Sequence, residues 1–362
     1  MLVRKVTDLA TTVKEALDFL EQDFKGLRVW VKPNLLGAHR PEAGVTTDPE
    51  LVRQVVRQLK ARGAAQVWVS DNPGMALPGN VSEYVAPTGI IEASEGCFRS
   101  PSDNPVPLAV ESRFTSEVRA SGLVREVDLL LNLPVFKTHA LTLMTGAVKN
   151  LFGIIVGAQK QQLHAACPGF EEFSELMVDI YQSVPVPMLH IMDALRGMDG
   201  MNGPSGGRVL KLGRLLAARN GIALDSVMTL MAGRPPRSIP TVRIAEERGL
   251  GPGTRDEIDI IGDFEVIQGF HVPSARFGRL AGKASRGVYR FLARYPLAVR
   301  NACNLCLECE KKCPVQAITM NPYPVVARER CIRCYCCVEV CPKRAMLIPT
   351  MTLGIWRNLF RK

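Results

Sequence analysis

No apolar run in this chain approaches the roughly 20 residues that a bilayer-crossing helix needs; the longest, such as VDLLLNLPVF, stop well short. The opening stretch, MLVRKVTDLATTVKEALDFLEQDF, scatters charges and has no apolar h-region, so no secretory leader is expected. Aromatic residues make up only 6% of the chain and are not interleaved with the basic ones. With no recognised motif beside them, nucleic acid is not an expected partner. The glycine-rich stretch GMDGMNGPSGG (197–207) fits neither G-x-G-x-x-G nor G-x4-G-K-[ST]. No flavin, nicotinamide or nucleotide site is therefore expected. A lid, a hinge, an anion nest and a plain turn all stay open for that loop.

Cysteine, by contrast, is concentrated. The stretch CIRCYCCVEVCP (331–342) carries five of the 11 cysteines. Cys331, Cys334, Cys337 and Cys341-Pro342 form C-x2-C-x2-C-x3-C-P, and Cys303, Cys306, Cys309 and Cys313-Pro314 form it again. Every member recurs at an offset of 28 residues, and so do Ala317 and Ala345, which marks an internal duplication. The spacing is that of bacterial two-cluster ferredoxins, in which the fourth cysteine serves the other cluster. It predicts one [4Fe–4S] cluster on Cys303, Cys306, Cys309 and Cys341, and a second on Cys331, Cys334, Cys337 and Cys313. Zinc is the rival, since paired C-x2-C also builds tetrahedral sites, but eight thiolates in two triplet-plus-one sets exceed what one ion needs. Cys336 falls outside the pattern and reads as a small packed thiol. Two thiolate sets also favour a reducing compartment, and the cytoplasm is the expected one.

The formal charge of +10 is uneven: from Glu265 onward there are 17 Lys+Arg against 5 Asp+Glu, whereas residues 1–264 hold 28 against 30. Arginines spaced through 276–300 suggest an amphipathic basic helix, and the tail LGIWRNLFRK adds apolar and basic residues. Such a segment suits an acidic electron-transfer partner or weak contact with an anionic membrane surface, if it is more than a solvated face. The chain accordingly divides into an α/β domain (1–264), a basic helical linker (265–300), a ferredoxin-type domain (301–350) and a basic, apolar tail (351–362).

Within 1–264, strand and helix patterns alternate, which predicts a largely parallel sheet with helices on both faces. Thr12 to Glu15 reads as a capping box ahead of one helix, and Asp48-Pro49 as the start of another that Gly63 stops. Several strand-like runs end in functional side chains: RVWV in Lys32 and Asn34, QVWV in Asp71, LPVF in Lys137 and His139, LHIM in Asp193. Open α/β sheets bind ligands beyond the carboxyl ends of their strands. Convergence there would make a polar pocket, although strand-end Asp and Asn residues also serve simply as caps. TGAVKNLFG (145–153) looks like a turn opening a helix, with Lys149 and Asn150 in its first turns and backbone amides free to hold an anion. Lys160 and His164 are spaced to share a helical face.

KPN (32–34), TDPE (47–50), KTH (137–139), KNLFG (149–153), His164, DALRGMDGMNGP (193–204) and ALDSV (223–227) together resemble the family known as domain of unknown function 362. Many of its members carry a similar two-cluster module at the C-terminus. Asp199 stands where the family pattern leads one to expect glutamate. The resemblance implies an architecture and no substrate. The combination points to an iron–sulfur oxidoreductase. Lys32, Asn34, Asp71, Lys149 and Asn150 would hold a small anion, and Lys137, His139, His164 and Asp193 would serve the chemistry. A non-enzymatic electron carrier and a metal- or cluster-handling accessory protein are the alternatives.

Overall fold

The computed structural model describes residues 1–73, 81–273 and 294–349. Most of the expected basic helix, and the whole tail from 351, lie outside the described residues. Of the 265–300 stretch that is described, 265–273 carries no helix, Leu297–Ala298 is a short strand and Arg300–Ala302 a 3-10 turn.

The strands in chain order are β1 (Leu2–Lys5), β2 (Arg28–Pro33), β3 (Gln66–Val69), β4 (Pro105–Ala109), β5 (Glu117–Ser121), β6 (Leu129–Leu133), β7 (Val135–His139), β8 (Leu143–Met144), β9 (Met188–Asp199), β10 (Arg208–Ala218) and β11 (Ile261–Gly262). The main sheet runs β11-β1-β10-β9-β6-β2-β3, with β7 also on β9 and β8 folded back on β7; β4 and β5 form a separate hairpin. Parallel pairing joins β11 to β1, β3 to β2, β2 to β6, and both β6 and β7 to β9. Antiparallel pairing joins β1 to β10, β10 to β9 and β7 to β8. The sheet is thus mixed and largely parallel. The antiparallel β9–β10 pair comes from the glycine-rich loop, which connects the two directly; a short connection closes a hairpin, whereas parallel neighbours need a crossover.

Strand alternation sorts the two faces. Val29 and Val31 of β2, Leu129 and Leu131 of β6, and Leu189 and Ile191 of β9 pack with the helices Leu9–Phe19 and Pro49–Ala61. Trp30, Leu130 and Met192 face the other way, onto the helices Phe170–Ser183 and Gly221–Met231. Because side chains alternate with period two, Lys32, Asn132 and His190 continue this second face. The first helix begins earlier than its sequence suggests: Asp8 is its N-cap, accepting the Thr11 N–H at 2.8 Å, ahead of Thr12. Asp48 caps the next helix with Pro49 in its first turn, as the sequence predicts.

The duplicated cysteine segment folds as a small module on this second face. Its strands are β12 (Leu297–Ala298), β13 (Ile318–Asn321), β14 (Tyr323–Val326) and β15 (Met346–Leu347), paired β12 with β15 and β13 with β14. Helical turns at Glu308–Lys311 and Cys336–Glu339 repeat the offset of 28. So do three pairs of left-handed residues: Leu305 and Arg333 (φ 58 and 60°), Leu307 and Tyr335 (65 and 58°), Gln316 and Arg344 (50 and 52°). The duplication is therefore one of backbone as well as of sequence. Cys337, Val338, Ala345 and Ile348 belong to the same apolar core as Phe136 and Phe173, so module and sheet share one interior. Asn202 accepts the Ile348 N–H at 2.7 Å and Ser205 donates to the Val338 carbonyl at 3.3 Å. The glycine-rich loop is the seat of the module.

Candidate functional site

Lys32, at the end of β2, is fully buried and pairs with Asp71 at 2.6 Å. The other Asp71 oxygen takes the Leu35 N–H at 2.7 Å. Gly153 presses on this pair so closely that a Cβ there would lie 2.0 Å from Asp71 Oδ1 and 2.7 Å from Lys32 Nζ. Lys137, projecting from β7, donates to Asn34 Oδ1 at 2.6 Å and to the Val45 carbonyl. Asn34 donates to Asn150, and Asn150 to Asn132, at 2.9 and 2.7 Å. Lys160 donates to the Asn72 carbonyl at 2.7 Å. The sheet edge does bring Lys32, Asn34, Asp71, Lys137, Lys160 and Asn150 together. Each of these lysines, however, already has a protein acceptor. Burial lowers all three, Lys137 and Lys160 to about 7.

Lys149 differs. Its ammonium lies 5.0 Å from the Phe152 ring centre and 5.7 Å from that of Phe173. It has no hydrogen-bond or ion-pair partner among the described residues, and it keeps partial exposure. Phe173 is the hub of this second group: His164 stacks on it at 4.4 Å and His139 at 6.4 Å, with Phe152 edge-on at 5.6 Å. His139 Nδ1 accepts the N–H groups of Leu141 and Thr142 at 3.0 and 3.2 Å, which fixes its proton on Nε2. Nε2 in turn lies 3.1 Å from Glu339 Oε1, out of line for a hydrogen bond, and neither atom has another partner among the described residues. Buried His164 Nδ1 also lacks one, and burial pushes that ring down to about 3, so it is neutral. Burial works against the Glu339 carboxylate too, but its neighbours, His139 first and Lys149 among them, outweigh it and hold it down to about 2.

Glu339 comes from the cysteine module, and sequence reasoning missed it. The signal was there in the duplication: the position that is exposed Lys311 in the first copy is buried Glu339 in the second. Two other expectations change. Asp193 does not end a strand; β9 continues to Asp199, and Asp193 accepts the N–H groups of Asp48 and Leu195 at 2.7 and 2.9 Å. Burial raises its pKa to about 7. The amides at the start of the helix Ala147–Asn150 do hold an anion, but it is Asp225, at 2.6 and 3.1 Å from Ala147 N and Val148 N. Asp199 pairs with Arg208 at 2.6 Å.

In the module, one cavity is lined by Cys303, Cys306, Cys309 and Cys341, the crossed set predicted from the spacing, with Leu307, Met320, Pro324 and Met346 beside them. Burial first, then the neighbouring Cys341, Cys306 and Cys303, push the Cys309 thiol up to about 11. Cys337 is raised by burial and then by Cys334, Cys331, Cys309 and Cys313. Cys313 and Cys341 each accept a backbone N–H at 3.1 Å, from Ala317 and Ala345. Cys336 is fully buried, and its hydrogen bond to Cys334 lowers the latter's pKa. Among the described residues no three His, Cys, Asp or Glu side chains are grouped to hold a single metal ion.

A family model described as "Domain of unknown function (DUF362)" matches residues 29–229. The thylakoid-associated protein sll1697 of Synechocystis sp. (strain ATCC 27184 / PCC 6803 / Kazusa) is 32% identical over 236 residues, covering 63% of this chain and 70% of its own. A Thermotoga maritima protein of known crystal structure aligns with TM-score 0.42 and 11% identity over 61% of this chain. The lactate racemase apoprotein from Thermoanaerobacterium thermosaccharolyticum aligns with TM-score 0.36 and 16% identity over 53% of it. The chain spans 57% and 50% of the length of those two proteins. Among the described residues no helix is long and apolar enough to cross a membrane. By the family match and the identity to its curated relative, this chain is a member of the DUF362 family.

Proposed function

We propose that the chain is an iron–sulfur oxidoreductase that holds two [4Fe–4S] clusters in a ferredoxin-type C-terminal domain and exchanges electrons with a small anion bound in the α/β domain. One observation carries this reading. The helical turn Cys336–Glu339 contains both the cluster ligand Cys337 and Glu339, whose carboxylate lies 3.1 Å from His139 in the α/β domain. Redox module and polar pocket therefore meet at a single turn of helix.

The residues fit the clusters. Cys303, Cys306, Cys309 and Cys341 surround a cavity instead of closing on a point. That suits a four-iron cubane, where each iron takes one protein thiolate, better than a single zinc ion. The repeated left-handed residues form backbone nests of the kind that face anionic groups, and the amides of Ala317 and Ala345 already point at sulfur. Cys331, Cys334, Cys337 and Cys313 would hold the second cluster, the one nearer the pocket. When bound, such clusters supply one-electron transfer at a potential set by burial and hydrogen bonding.

The chain's own residues do the rest. Lys149, which has no ion pair among the described residues, attracts the anion. His139 presents its Nε2 proton to the pocket. Lys137 and Lys160, brought to about 7, can exchange protons near neutrality. Phe152 and Phe173 give the Lys149 ammonium an apolar flank at 5.0 and 5.7 Å. An acidic redox protein is the proposed donor, drawn by the basic excess after Glu265. A cytoplasmic location, with any membrane association limited to surface contact by that basic segment, completes the reading.

The test uses protein purified and reduced with dithionite under anaerobic conditions. Small carboxylates and phosphates are added while the cluster absorbance is followed. Reoxidation that depends on one class of anion, and that Lys149→Met abolishes, is expected. Reoxidation by no anion, with both clusters intact, would favour an electron carrier.

A further inference from the structure

Four polar groups around Phe173 have no hydrogen-bond partner among the described residues: Lys149 Nζ, His164 Nδ1, His139 Nε2 and Glu339 Oε1. Buried polar atoms are nearly always satisfied, and leaving one unpaired costs roughly 1–3 kcal/mol. Here the deficit is concentrated where two modules meet, on rings packed within 4.4 to 6.4 Å of Phe173. The groups are also complementary in kind. Lys149 needs an acceptor, and His139, with its proton fixed on Nε2, has only the misaligned Glu339 at 3.1 Å. Glu339 likewise has no donor but His139, and no lysine reaches it in an ion pair among the described residues.

We infer that Glu339 is a specificity residue of this pocket, and that the ligand is a small acid carrying a hydroxyl or amino group as well as its anionic one. The inference rests on the pocket proposed above. The anionic group sits toward Lys149 and His139, and the hydroxyl or ammonium donates to Glu339. A plain carboxylate brings the same negative charge but leaves Glu339 unsatisfied, and it is rejected for that unpaired acceptor. Glu339 comes from the cysteine module, so the proposed site is complete only when that module is docked.

Binding is measured on oxidised holoprotein by calorimetry and thermal shift, without turnover. The probes are acetate against glycolate and glycine, and butyrate against 2- and 3-hydroxybutyrate and 2-aminobutyrate. The wild-type protein should prefer a donor-bearing acid over its plain counterpart by about tenfold or more. Glu339→Gln should reduce that preference to within about threefold, because a neutral amide oxygen accepts more weakly than a carboxylate, while the repulsion it relieves is common to both acids. Lys149→Met should weaken every acid. Equal binding of plain and donor-bearing acids to wild type overturns the inference, as does an unchanged ratio in Glu339→Gln. Binding of no acid overturns it too, yet leaves the cluster assignment standing, because iron and sulfide content are read separately on the same samples.

Discussion

His139 closes the last strand position of β7, and Glu339 meets it at 3.1 Å from a helical turn in the cysteine module. The contact joins two parts of the chain that have no local reason to meet. Nearby, Lys32 is held in a buried ion pair with Asp71, whereas Lys149 has no such partner among the described residues.

Lys32 and Lys149 should therefore behave differently when truncated. Lys32→Met strands Asp71 in the interior, and breaking a buried pair in this way costs about 3–5 kcal/mol. Lys149→Met removes no hydrogen bond found among the described residues and should change stability by less than about 1 kcal/mol. Urea denaturation of both variants, with cluster content monitored, checks the contrast. Equal destabilisation would make Lys149 a structural cation.

Gly153 makes the same point from the backbone side. A methyl group there would lie 2.0 Å from Asp71 Oδ1, and the Lys32–Asp71 pair has nowhere to retreat. Gly153→Ala should destabilise the protein by about 1–3 kcal/mol, as overpacking does. It should also loosen the Leu35 amide, which hydrogen exchange can read. A neutral effect would mean that the pair moves freely.

Asp193 gives a dependence on pH. Its folded pKa, raised by burial from 3.8 to about 7, exceeds the unfolded value, so its contribution to stability is fully present below about 4 and is lost as pH rises toward 7. Over that window the folded state binds more protons than the unfolded one. Asp193→Asn should flatten the fall, by up to roughly 4 kcal/mol between the two ends. Unfolding midpoints from pH 4 to 8 measure it, and parallel curves for both proteins would contradict it.

Much of the sheet edge was legible because strand ends advertise themselves: an apolar run followed by Lys32, by Asp71, or by His139. The cysteine duplication was legible because its members recur at one fixed offset of 28 residues. What stayed hidden was tertiary. LHIM looks like a complete strand ending at Asp193, but pairing with β10 carries β9 on to Asp199, and only the partner strand decides that. The glycine-rich loop after it was readable as a hairpin connection, which would have predicted the antiparallel β9–β10 pair. Glu339 carries no local signal beyond its charge reversal against Lys311. Asp225 sits in a helix and finds the amides of Ala147 and Val148 only through folding.

Metal and sulfide analysis of protein purified without oxygen tests the central claim most directly. Two four-iron cubanes require about eight irons and eight acid-labile sulfides per chain, with broad visible absorbance. Cys334→Ala should remove one cluster and about half of both counts, whereas Cys336→Ala should leave them unchanged. Stoichiometric zinc, with no sulfide and no visible absorbance, would contradict the account.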